Sequence, residues 1–169
     1  MNRRSVLGIS AVTVLASSLL LDAAGAASKA KVSKKQLIGN WILVSNTNTA
    51  ANSRPFGAND GYATFAADGR FSITLLRSDL PKFASNNRDT GSADEDKAVV
   101  QGSNAYFGTY SLNEADGTLT LHIERASFPN WVGTDQQRQI VSLTATELKY
   151  TNPAASVGGT AELGWKRVK

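Results

Sequence analysis

From Gly39 onward, apolar residues fall at every second position in short runs, and Gly, Asn and Asp interrupt those runs at close intervals. Period two is the spacing of side chains on a half-buried strand, so the pattern predicts an antiparallel, all-β domain. About eight strands can be placed on it. The first covers residues 39–47 around Trp41-Ile42-Leu43-Val44; the second and third, 60–67 and 70–77, meet at Asp68-Gly69, a two-residue hairpin signal. The fourth and fifth, 105–112 and 117–125, join across Asn113-Glu114-Ala115-Asp116-Gly117. The sixth begins near Thr134 and turns near Ala145 into the seventh at Leu148-Lys149-Tyr150. The eighth, 159–168, follows a Pro-, Ala- and Gly-rich turn that begins at Pro153.

Residues 78–104 do not alternate, and a connection that long in a compact domain needs internal structure. Ser92-Ala93-Asp94-Glu95 has the Ser-x-x-Glu spacing of a helical capping box, followed by Ala98, Val99 and Val100 as an apolar face. The expectation is one short helix lying across an end of the sheet structure. Eight sequential strands fit an up-and-down barrel, because closure removes the exposed edges of an open sheet. A two-sheet sandwich has the same periodicity, and the alternation does not separate the two. An eight-stranded barrel is the size whose interior is either filled by side chains or holds one small ligand.

The N-terminal residues change the domain layout. Asn2-Arg3-Arg4 precedes an uncharged run from Ser5 to Leu21, and Ala24-Gly25-Ala26 fits the small-x-small site of signal peptidase. The run is too short and too interrupted by Ser, Gly and Thr for a stable membrane span. The expected layout is an export signal at 1–26, a flexible Lys-rich segment at 27–36 and a barrel domain at 37–169, in the periplasm or secreted. Arg3-Arg4-Ser5-Val6-Leu7 also resembles the twin-arginine consensus, so twin-arginine and general export both stay open.

The formal net charge of +4 is concentrated at that end. Removing Arg3, Arg4, Lys29, Lys31, Lys34 and Lys35 from the 18 basic residues and Asp22 from the 14 acidic ones leaves 12 against 13. The body therefore has no basic excess for nucleic acid. The chain has no cysteine, which excludes disulfides, thiolate metal sites and a cysteine nucleophile.

Leu37-Ile38-Gly39-Asn40-Trp41 carries a Gly-x-Trp opening similar to that of lipocalins, in which the Trp of the first strand caps the closed end of the barrel. More specific is a series in fixed order: Pro55-Phe56-Gly57, Gly61-Tyr62, Leu76-Arg77, Pro81-Lys82-Phe83-Ala84, Ala105-Tyr106-Phe107-Gly108-Thr109-Tyr110, His122, Phe128-Pro129-Asn130-Trp131-Val132-Gly133-Thr134, Arg138, Gly159 and Trp165. With that series the chain resembles the bacterial and fungal lipocalin-like domain family over essentially all of 37–169. The resemblance implies an eight-stranded, antiparallel up-and-down barrel with one short helix in the long connection. It implies no particular activity.

The candidate site residues divide by what they could do. Tyr62, Tyr106, Tyr110 and Trp131 offer an amphipathic wall, and Phe128, Asn130 and Trp131 stand at one rim of the barrel. Gly108, between Tyr106 and Tyr110 on one strand face, leaves room for something to approach. Those aromatics equally suit a packed core. Arg138, in the polar run Asp135-Gln136-Gln137-Arg138-Gln139, could anchor a ligand carboxylate or lie on a solvated face, and Arg77 poses the same choice. His122, the one histidine, alternates in phase with Thr120 and Glu124, opposite Leu119, Leu121 and Ile123. It stands outside if the apolar face lines the lumen, and near Glu124 as a proton-transfer pair if the lumen is polar. No metal site and no cofactor is implied.

These residues lead first to an exported protein that binds a small apolar or amphipathic molecule in its barrel. A second reading is an isomerase or cyclase in which His122, a Tyr or Arg138 handles protons or charge. A third is a filled barrel that engages another envelope protein by its exterior.

Overall fold

The structure is a computed structural model and describes residues 32–169. The expected export signal lies outside the described residues. Eight antiparallel strands close into one barrel in sequence order, each paired with its chain neighbours and the last with the first. They are β1 (Gly39–Asn48), β2 (Gly61–Phe65), β3 (Arg70–Leu76), β4 (Ser103–Asn113), β5 (Thr118–Ala126), β6 (Asp135–Leu143), β7 (Glu147–Asn152) and β8 (Ala161–Arg167). Closure leaves no long unpaired edge, which is why the barrel, not the sandwich, is the architecture.

Alternation decides which residues enter the lumen. Along β3, Phe71, Ile73 and Leu75 are buried while Arg70, Ser72, Thr74 and Leu76 are exposed. Along β5, Leu119, Leu121 and Ile123 point in. Three bulges, at Leu43/Ser45, Phe107/Gly108 and Ile140/Ser142, interrupt this phase. At the second, a side chain on Gly108 would strike the His122 carbonyl, so what approaches Gly108 is the backbone of β5 and not a ligand.

One end of the barrel is sealed. A four-residue helix, α1 (Lys34–Leu37), starts in a capping box: Ser33 Oγ accepts from Gln36 N at 3.3 Å, and Gln36 Oε1 accepts from Ser33 N at 3.1 Å. It inserts Leu37 into the barrel end, and Val32 is buried beside it, so the part of the 27–36 segment that is described packs against the barrel. Trp41 Nε1 donates to the Leu37 carbonyl at 3.0 Å. Arg167 lies over the Trp41 ring, 4.1 Å from its centroid, and donates to the carbonyls of Ala145 and Ile38 at 2.6 Å each and to that of Gln36. Gly39 sits at φ +138° directly beneath Arg167, where a Cβ would collide with the guanidinium. The Gly-x-Trp opening thus encodes a stopper: the Gly admits Arg167, and the Trp ties helix to barrel. Phe65, Phe71, Tyr110, Leu121 and Trp165 fill the lumen behind it.

The long connection between β3 and β4 holds helix α2 (Ala93–Gly102), N-capped by Ser92 with Glu95 completing the box as the spacing predicts. Among the described residues, no helix is long and apolar enough to cross a membrane.

Candidate functional site

The opposite end of the barrel encloses a cavity of about 580 Å3, within the range of small-molecule pockets. Strand register places its floor and walls. β3 contributes Leu75, β4 contributes Tyr106 and, two residues nearer the rim, Asn104; β7 contributes Tyr150 and, two residues nearer the rim, Asn152. Residues two apart share a face at roughly 7 Å. The lining is therefore banded, with phenols below and asparagines above.

Arg138 reaches the same cavity from β6, where it pairs with Leu119 of β5. It is 1% exposed. Its Nη1 donates to the Gln137 carbonyl at 2.8 Å, and its Nη2 has no partner in hydrogen-bond geometry, the Tyr106 hydroxyl lying near the guanidinium without meeting that geometry. Among the described residues, no carboxylate forms an ion pair with it. Its guanidinium carbon lies 5.8 Å from the Trp131 ring centroid. Burial raises the pKa of the Tyr106 hydroxyl, and the nearby Arg138 cation works against that shift. Burial likewise pushes the Tyr150 hydroxyl upward. Both phenols therefore remain protonated donors at neutral pH. Tyr150 Oη and Trp165 Nε1 lie near one another without meeting hydrogen-bond geometry, and the Oδ1 atoms of Asn46 and Asn104 are also unpartnered.

The rim is aromatic. Phe128 leads into a 3-10 turn, Pro129–Trp131, in which Trp131 packs edge-on against Tyr106 (5.2 Å) and against Phe128 (5.7 Å). Gly133 N donates to the Ile123 carbonyl at 2.8 Å, returning the chain to the sheet. Across the mouth, Arg77 Nη1 donates to the Pro55 carbonyl at 3.0 Å and lies over the Phe56 ring. Partial desolvation, then the Arg54 charge, lowers the pKa of Arg77, which stays cationic. Asp60 joins two mouth segments by accepting from Gly57 N at 2.7 Å and Ser78 N at 3.0 Å. Arg54 pairs with Asp79 beside it.

Of the sequence-derived candidates, the structure gathers Arg77, Tyr106, Phe128, Trp131 and Arg138 around the cavity. The others lie elsewhere. Tyr62 is 45% exposed on the outer face of β2. Asn130 is exposed in the turn. Tyr110 points inward but toward the sealed end, where its hydroxyl donates to the Ala66 carbonyl at 2.8 Å, two positions too deep for the cavity. His122 is on the outer face with its side chain 53% exposed; its Nδ1 lies 2.7 Å from Asp135 Oδ1, and Glu124 instead binds Arg70. The apolar phase of β5 lines the lumen, which leaves the polar phase in solvent.

Asn46, Phe56, Asn104, Tyr150 and Asn152 line the cavity although the sequence did not single them out as site residues. Asn104 and Asn152 did carry a signal, since each shares the inward phase of a tyrosine two residues away. A polar residue on an inward phase marks a wet or ligand-facing lumen. Among the described residues no group of His, Asp and Glu could hold a metal ion.

The model of a family described as lipocalin-like domain matches residues 38–168. No curated protein matches the chain. Among solved structures it is similar to a redesigned β-barrel (TM-score 0.44, 15% identity, covering 80% of this chain and 94% of that one). It is also similar to bovine odorant binding protein complexed with its natural ligand (TM-score 0.40, 18% identity, 83% of this chain and 76% of that one). A third is a polyisoprenoid binding domain from Saccharophagus degradans implicated in plant cell wall breakdown (TM-score 0.31, 13% identity, 75% of this chain and 89% of that one). Likenesses this distant speak only to barrel shape.

Proposed function

The chain belongs to the lipocalin-like domain family, and from that premise we propose that it binds one small, largely apolar or amphipathic molecule in the open half of its barrel. The observation that carries this reading is the division of the lumen. Trp41, Leu121 and Trp165 pack the sealed half, whereas the other half keeps a cavity of about 580 Å3. Phe56, Leu75, Phe128, Trp131 and Leu163 give it apolar walls, and Arg138 with the phenols and asparagines gives it polar points. A barrel evolved to be filled would continue the base packing to the rim. Strands supply the inner walls of the cavity, and helix α2 with the loops around the mouth supplies the outer ones.

The isomerase or cyclase reading loses its acid–base candidate His122, which stands outside the lumen. Export by residues 1–26, with function in the periplasm or outside the cell, is part of the proposal and rests on the sequence of that segment. Native mass spectrometry of protein recovered from the periplasm tests both parts. The expected result is a chain that begins near Ala27 and carries a bound small molecule. A chain retaining residues 1–26 in the cytoplasm would refute the export part, and a uniformly ligand-free protein would refute the binding part.

A further inference from the structure

Resting on the binding reading above, we propose that the ligand is a monocarboxylate amphiphile that enters head first, its carboxylate held at the cavity floor by Arg138 and Tyr150. A guanidinium buried this completely is costly unless an anion or several acceptors accompany it. Arg138 has one carbonyl acceptor, on Nη1, and leaves Nη2 unpartnered at the cavity. Tyr150 Oη, on the neighbouring strand and lining the same cavity, is a second unpartnered donor. Two donors that line one cavity suit the two oxygens of one planar carboxylate.

The charge balance agrees. Asp79 is the one carboxylate in the cavity lining; it is at the rim and already paired with Arg54. Arg77, the other rim cation, is bonded to the Pro55 carbonyl and covers Phe56. Arg138 is thus the single positive charge of the floor, and one negative charge neutralises it. The asparagines above are neutral, and Phe56, Phe128 and Trp131 at the rim suit a hydrocarbon tail. The charges of the mouth are already matched, Arg54 by Asp79 and Arg77 by the Pro55 carbonyl, so the one unmatched charge is the buried Arg138, which orients the ligand head down.

The test is calorimetric titration of the full chain with four probes of one chain length: decanoate, decanol, decylamine and decyl phosphate. Decanoate is expected to bind roughly tenfold or more tighter than decanol, the scale of a charge-assisted hydrogen bond. Decylamine is expected to bind weakest. In Arg138→Met the advantage of decanoate over decanol is expected to vanish. Should that variant not fold, wild type carries the test alone, because the advantage must fade as pH drops below the range where carboxylic acids ionise. Equal or tighter binding of decanol would overturn the carboxylate proposal and leave the binding reading standing. Preference for decyl phosphate would overturn it in favour of a larger oxyanion. No binding of any probe would overturn both.

Discussion

At the scale of single residues, Arg138 links stability to function. A buried cation without an ion-pair partner destabilises the empty barrel, so Arg138→Met should leave global stability between unchanged and about 3 kcal/mol higher in urea denaturation. A loss above 1 kcal/mol would mean that the guanidinium is satisfied in the empty protein. Trp131 offers a direct readout, since it alone of the three tryptophans lines the cavity, the others being buried in the base. Ligand should therefore change tryptophan emission in wild type. In Trp131→Phe the change should disappear while affinity, measured by calorimetry, falls by less than about tenfold. His122→Ala removes an exposed contact with Asp135 and should alter neither binding nor stability beyond about 0.5 kcal/mol. How legible these residues were in the sequence depended on their strands. His122 could be assigned to the face opposite Leu119, Leu121 and Ile123 because β5 alternates cleanly, and the apolar lumen then puts that face outside. Arg138 could not, because Gln136, Gln137 and Gln139 make both faces of β6 polar, and the bulge at Ile140/Ser142 shifts the phase that Ile140 and Leu143 would otherwise extend back to it.

At the scale of elements, the loop before α2 in the connection between β3 and β4 is fastened to the helix by a half-buried carboxylate. Glu95 accepts from Ser92 N at 2.7 Å, closing the cap of α2, and from Ala84 N at 2.8 Å, fastening the preceding loop to the helix. Those two backbone donors, Ser92 first, lower its pKa below the usual 4.5. A lowered folded-state pKa means that the latch contributes above the unfolded value and is lost as pH falls through the folded one. The amide resonances of Ala84 and Ser92 in NMR spectra should accordingly titrate together below pH 4.5 while barrel amides stay still. Glu95→Ala should give the released spectrum at neutral pH. The Ser92-to-Glu95 spacing disclosed the helix because both cap partners are local. The bond to Ala84 was not visible, since nothing in a sequence states which loop folds back on a helix end.

At the scale of the whole molecule, the barrel is two halves with different tasks. Leu121 is fully buried in the packed base, so Leu121→Ala should cost about 2–5 kcal/mol. Phe56 is only partly buried at the mouth, so Phe56→Ala should cost under about 1 kcal/mol and show mainly as weaker ligand binding. Equal losses from the two substitutions, compared by urea denaturation without ligand, would refute the division. The base half is also where the terminal segments meet: α1, Trp41 and Arg167 close it by hydrogen bonds from the last strand to the chain just before the first.

The sequence by itself determined the strands, their hairpins, the capped helix and the inward phase wherever apolar residues alternate, because period, turn chemistry and caps act between residues a few positions apart. It also carried the family, through motifs whose order runs along the whole domain. The family resemblance also implied the closed barrel, which the alternation alone did not separate from a sandwich, whereas only the tertiary structure decided that the FPNWVGT turn stands at the open mouth. The same holds for Tyr110, which lies too deep for the site its twin Tyr106 lines, and for Arg138, which faces an asparagine-banded cavity with one nitrogen free. The physical reason is common to all of these. Depth and facing in a barrel are set by stagger and bulges between strands distant in the chain, and no local pattern records that registration.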